Sequence, residues 1–181
     1  MANLYEAIDE KLAGFLRAQR LFFIATAPSG PGGHVNLSPK GHDSFRVLDT
    51  RTVAYLDLTG SGVETIAHLR ENGRITFMFC AFEGPPRIVR LQGRGRVVAP
   101  SDSDFAEWRA PFPEQDGVRS VVVAELDRIS DSCGYGVPIL GYQGERPQMQ
   151  AWLDQKGPEG VKTYQVEHNE SIDGLPGLSF H

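Results

Sequence analysis

The sequence predicts a mainly β domain, a small antiparallel barrel with peripheral helices. Short apolar runs of strand length follow one another between residues 21 and 99, separated by Gly/Pro turns. Helical periodicity is confined to the two ends of the chain, one internal segment and a short stretch after Pro100. Strands that run consecutively do not fit the βαβ alternation of a parallel sheet, and an antiparallel barrel accommodates them.

In chain order, Leu4, Ile8, Leu12, Phe15 and Leu16 recur at three- and four-residue steps, one apolar helix face with Asn3 as its cap. Residues 21–27 are short, apolar and strand-like, and Pro28 to Gly33 is a turn. Residues 34–38 alternate: Val35 and Leu37 point one way, His34, Asn36 and Ser38 the other. Pro39 has no N–H to donate and is expected to stop this ladder. Residues 45–48 and 52–58 are two further strands joined by Asp49-Thr50-Arg51. Ser61-Gly62-Val63-Glu64 fits a capping box that opens a helix, and Asn72-Gly73 is its stop signal.

Residues 75–80 form a strand, and Glu83-Gly84-Pro85-Pro86 turns the chain into a long strand over 87–99. There Arg90, Gln92, Arg94 and Arg96 share one face and Val89, Leu91, Gly93, Gly95 and Val97 the other. The two glycines mark a bulge or a close approach. Ser101 or Asp102 caps a short helix carrying Phe105 and Trp108, and residues 119–129 hold the buried-strand run Val121-Val122-Val123-Ala124. Residues 133–138 are a loop, residues 146–156 a helix ended by Gly157-Pro158, and the tail is irregular. The 181 residues fit a single domain, with a barrel core at about 20–130 and an extension over 131–181.

A net charge of −5 argues against bulk nucleic-acid binding. No apolar run approaches the ~18 residues of a membrane span. The N-terminus is acidic and amphipathic, unlike a signal peptide, so a cytoplasmic protein is expected. Cys80 and Cys133 have no metal-like spacing and read as buried or idle thiols. The sequence holds no HExxH, no G-x-S-x-G, no P-loop and no GxGxxG after a strand, so metalloprotease, serine-hydrolase, P-loop and Rossmann readings lack their motifs.

Two clusters carry chemistry. Asn36, Ser38 and Lys40 share parity and place an amide, a hydroxyl and a cation on one face at a strand end. Thr59-Gly60-Ser61-Gly62 opens a helix, whose N-terminus offers free N–H groups and a positive dipole end. Alone, each is an ordinary turn or an ordinary cap; flanking one strand, they would hold a phosphate monoester from two sides.

These segments, with Phe45-Arg46-Val47-Leu48-Asp49, Val53-Ala54-Tyr55-Leu56-Asp57, Glu71-Asn72-Gly73-Arg74-Ile75 and Gly93-Arg94-Gly95-Arg96-Val97, resemble the pyridoxamine 5′-phosphate oxidase-related family of FMN-binding split barrels. The resemblance implies a six-stranded antiparallel Greek-key split barrel that forms a homodimer with FMN between its subunits. It places Ser38, Lys40 and the turn from Ser61 to Thr65 at the flavin phosphate, and the backbone of Tyr55, Leu56 and Asp57 at the flavin ring. Asn36, Thr59, Gly60, Gly62 and Arg94 complete the expected cofactor contacts. Glu64 stands where relatives often carry a basic residue, and the Arg-x-His element of vitamin B6 oxidases has no counterpart. The resemblance therefore implies an FMN-dependent oxidoreductase acting on another small molecule. F420-dependent reduction, or flavin or haem binding without turnover, are the alternatives it leaves open, and it assigns no catalytic residue.

Overall fold

The computed structural model describes residues 3–180. Met1 and Ala2, part of the N-terminal reading above, and His181 lie outside the described residues. Eight strands form one antiparallel sheet: β1 (Asn3–Tyr5), β2 (Phe22–Thr26), β3 (Asn36–Lys40), β4 (Phe45–Val47), β5 (Thr52–Leu58), β6 (Arg74–Cys80), β7 (Ile88–Val98) and β8 (Val118–Ser132). Their order is β3-β2-β6-β7-β8-β5-β4, with β1 added alongside β8. The sheet curls until its ends meet. Phe22 of β2, next to one end of the strand order, and Phe45 of β4, at the other end, have ring centroids only 5.3 Å apart. Phe22, Ile24, Val53, Tyr55, Phe77, Phe79, Leu91 and Val122 fill the resulting interior. Burial of each large apolar side chain contributes about 1.5–3 kcal/mol.

Seven of the eight strands lie where the apolar runs put them; β1 is the addition. Asn3 does not cap a helix. It pairs with Asp131 in β8, whose carboxylate accepts from the Asn3 backbone and side chain and from the Tyr5 hydroxyl. The first helix, α1 (Glu10–Ala18), starts later, and the Asp9 carboxylate caps it by accepting from the Leu12 N–H at 2.7 Å. Its Leu12, Ala13 and Leu16 join the barrel core. Pro39 does not stop β3 either, because β3 is an edge strand and an edge tolerates a missing donor.

Helix α2 (Glu64–Asn72) ends as expected at Gly73, which takes φ 70° and donates its N–H to the Leu69 carbonyl. Its expected capping box is absent: Val63 occupies the N-cap, without a side-chain hydrogen bond. The short α3 (Phe105–Arg109) follows Asp104 rather than Ser101 or Asp102, and the Asp102 carboxylate accepts from the Ala99 N–H instead. Helix α4 (Gln148–Glu167) breaks at Gly157 (φ 65°, ψ 168°) and resumes at Pro158. Proline suits that restart, since a first-turn N–H has no partner to lose. Gly157-Pro158 thus ends one helical segment and begins an unforeseen second one.

The glycines of β7 serve close approaches within the chain. A Cβ on Gly93 would stand 1.9 Å from the Glu125 carbonyl oxygen, where the β7–β8 register shifts, and one on Gly95 would press on Leu69 and Ile75. Cys80 is buried, but Cys133 is exposed, and both are free thiols. Among the described residues, no helix is long and apolar enough to cross a membrane.

Candidate functional site

At one end of the barrel the interior turns polar. The inward positions of β5 run Val53, Tyr55, Asp57, and Asp57 is fully buried. Arg119, at the start of β8, donates from Nε to Asp57 Oδ2 at 2.8 Å, and Lys40 Nζ stands 3.6 Å from Oδ1. Lys40 thereby reaches from the edge strand β3 across the split of the barrel to β5. Burial pushes the Asp57 carboxyl up, but Arg119 and then Lys40 pull harder, and the net shift is down. For Arg119, burial lowers and Asp57 raises, with a net upward shift.

A second cluster joins β2, β3 and α2. Asn36 Nδ2 donates to Thr65 Oγ1 at 3.0 Å and to Thr26 Oγ1 at 3.3 Å, and Thr26 Oγ1 lies 3.0 Å from His68 Nδ1. Burial holds the His68 imidazole pKa below its usual value, against the raising pull of Asp173, Glu64 and Glu71.

The turn before α2 lies between these clusters. Arg119 Nη1 donates to the Gly62 carbonyl at 2.9 Å and fixes the turn. The N–H groups of Glu64, Thr65 and Ile66 find no protein acceptor among the described residues. The Glu64 carboxylate folds back into the space a Cβ on Gly62 would need. Ser38 Oγ, the Tyr55 hydroxyl, Asp57 Oδ1, His68 Nε2 and Ser120 Oγ are buried without a hydrogen-bond partner among the described residues. Buried polar groups are normally paired, so their concentration at one end of the barrel marks a place suited to a polar ligand.

The structure brings most of the sequence-predicted residues to this end. Asn36, Ser38 and Lys40 sit on the less exposed side of β3, while Leu37 is 61% exposed on the other. Thr65 is bonded to Asn36, and Gly60, Ser61 and Gly62 form the turn. Tyr55 and Asp57 face the interior. Leu56 faces outward into the Ala54–Val121–Val123 cluster, and its N–H donates to the Ser44 carbonyl. Thr59 is buried, donating to the Gly117 carbonyl and accepting from Gln165 of α4. Arg94 stands apart, exposed and donating to the Asn72 carbonyl. Arg119, Thr26 and His68 were not singled out from sequence. The available signal for Arg119 was a charged residue two positions before the apolar run that starts at Val121.

The sequence model of the pyridoxamine 5′-phosphate oxidase family matches residues 8–133. The chain is also 39% identical over 196 residues to the pyridoxamine 5′-phosphate oxidase family protein ustO of Aspergillus flavus, covering 98% of this chain and 78% of that one.

This chain belongs to the pyridoxamine 5′-phosphate oxidase family.

Solved structures agree on the fold of this oxidase-family chain. HupZ of Group A Streptococcus superposes with a TM-score of 0.53 at 22% identity, covering 67% of this chain and 91% of that one. A pyridoxamine 5′-phosphate oxidase candidate from Lactobacillus delbrueckii gives 0.53 at 19% identity, covering 69% and 94%. At these identities the likeness establishes the split-barrel fold. Among the described residues, the family member has no cluster of His, Cys, Asp or Glu set to hold a metal ion.

Proposed function

We propose that this protein is an FMN-dependent oxidoreductase acting on a small molecule, with the flavin phosphate held at the α2 end of the barrel. The observation that carries the reading is the uncapped N-terminus of α2, tied to β3 by the Asn36–Thr65 hydrogen bond, together with the unpartnered Ser38 hydroxyl on the same face of that strand. Free helix N–H groups favour a phosphate. The donors present fit a phosphate monoester: three backbone N–H groups, the Ser38 hydroxyl and the Thr65 hydroxyl, whose oxygen Asn36 holds in place. Charge contributes less, because Lys40 and Arg119 are opposed by Asp57 and Glu64. The flavin, when bound, supplies the hydride and electron chemistry. The chain's residues bind it, orient it and limit its contact with water.

A homodimer completes this reading. Leu37 on β3 and Val35 just before it, 61% and 75% exposed, offer apolar contact area. Arg94 would reach a flavin only across such a contact. The test is a visible absorption spectrum of freshly purified protein, with mass spectrometry of what heat releases and the mass of the assembly in solution. Flavin bands with FMN released from a dimer are expected. A colourless protein that also fails to bind added FMN overturns the reading, and a deazaflavin in its place replaces FMN with F420.

A further inference from the structure

We propose that a separate cleft beyond the end of β3 binds an organic anion with an apolar body, and that Arg20 takes its carboxylate. The cleft encloses about 690 Å³ between the C-terminal end of α1, the β3–β4 turn, the loop before β8 and residues 142–145. That volume suits a drug-sized molecule. Leu16, Phe22, Phe45 and Val47 supply apolar lining.

The acidic groups lining the cleft each have an ionic or hydrogen-bonding partner, Glu145 also accepting from the Tyr142 hydroxyl, and of the lining arginines one lacks a carboxylate among the described residues. Arg46 holds Asp43 at 2.9 Å, His42 meets Glu145 at 3.3 Å, Arg17 meets Glu10 at 3.2 Å, and Glu114 lies 3.8 Å from Arg109. Arg20 has no carboxylate partner among the described residues; its guanidinium lies 5.3 Å from the centroid of the Tyr142 ring. An unneutralised guanidinium beside an apolar surface matches a carboxylate carried on an apolar body.

The wall of the cleft is also built at a cost. His42 and Asp43 are consecutive non-glycine residues at φ 59° and 51°. They are held there because Ser44 Oγ donates to the Gly41 carbonyl at 2.6 Å and Asp43 clamps Arg46. Strained backbone of this kind persists only where its surroundings over-determine it. The turn follows Lys40 directly. That the bound anion is the substrate rests on the flavin reading, whereas the binding site itself does not.

The test is calorimetric titration with 3-phenylpropionate and with the neutral 3-phenyl-1-propanol, on protein whose flavin content has first been read by absorbance. Saturable 1:1 binding of the acid is expected, about tenfold tighter than the alcohol. Arg20→Gln should lose about tenfold for the acid and nothing for the alcohol, with Arg20→Lys recovering part of it. Unchanged thermal unfolding and flavin content in the variants tie the loss to the site. Absence of saturable binding at millimolar acid, equal affinity for acid and alcohol, or indifference to Arg20→Gln each overturns the proposal. Flavin-free protein that binds the acid supports this site and removes the flavin reading; flavin-loaded protein that does not bind it overturns this site alone.

Discussion

Asp57 and Arg119, 62 residues apart in sequence, meet at 2.8 Å inside the polar end of the barrel. Neither has bulk water to fall back on, so each makes the other's burial tolerable. Replacing one partner of a buried pair leaves an uncompensated charge and costs about 3–5 kcal/mol. Asp57→Asn is therefore expected to lower the unfolding free energy by that order in urea titrations at neutral pH. The same pair sets an acid limit. The Asp57 carboxyl is depressed below its ordinary 3.8, so its contribution is fully present above that value and is lost as pH falls through the folded one. The Asn variant should lose this part of the acid dependence, and an unchanged acid limb would show that Asp57 does not set it.

Lys40 pairs with Asp57 and, in the reading proposed above, also faces the flavin phosphate. Lys40→Ala should weaken FMN about tenfold or more, the order of a charge-assisted hydrogen bond, and should also reduce stability. Fluorescence titration with FMN, read beside urea unfolding, separates the two. Lost stability with unaltered FMN affinity would confine Lys40 to the ion pair.

Glu64 works against an anion at the same helix end. Glu64→Gln removes a negative charge from beside Gly62 and is expected to tighten FMN about two- to fivefold. The cost is a slightly weaker helix start, since an acidic first turn favours the dipole. Weaker flavin binding in this variant would mean that Glu64 holds the turn open for the ligand.

Two glycines in regular elements should respond in opposite directions to alanine. Gly14 in α1 has open space around its Cβ position, so Gly14→Ala should stabilise by about 0.5–1 kcal/mol. At Gly93 the Cβ would run into the Glu125 backbone, so Gly93→Ala should cost about 1–3 kcal/mol. Thermal unfolding of the two variants side by side tests the register shift between β7 and β8.

Local signals exposed much of this fold. The alternation of residues 34–38 put Leu37 and Ser38 on opposite faces, with the structure showing that the apolar face is the exposed one, and Asn72-Gly73 ended α2 where Gly73 turns left-handed. The errors lie where distant partners decide. Asn3 and Leu4 continue a helical periodicity, but Asp131 draws them into the sheet. Ser61 and Glu64 have capping-box spacing, yet Val63 takes the cap and Glu64 folds onto Gly62. The polar layer was half legible: Asn36, Ser38 and Lys40 announce themselves on one short strand. Arg119, Thr26 and His68 acquire meaning only when the sheet curls and brings β8, β2 and α2 to that strand.

Pro39 limits how this molecule can associate. Its ring occupies a position on the outer rim of the sheet where another residue would offer a donor to an incoming strand. A foreign chain seeking to lengthen the sheet by backbone pairing meets a gap at the fourth position of a five-residue template. Backbone pairing along this edge is thereby disfavoured relative to contacts between side-chain surfaces.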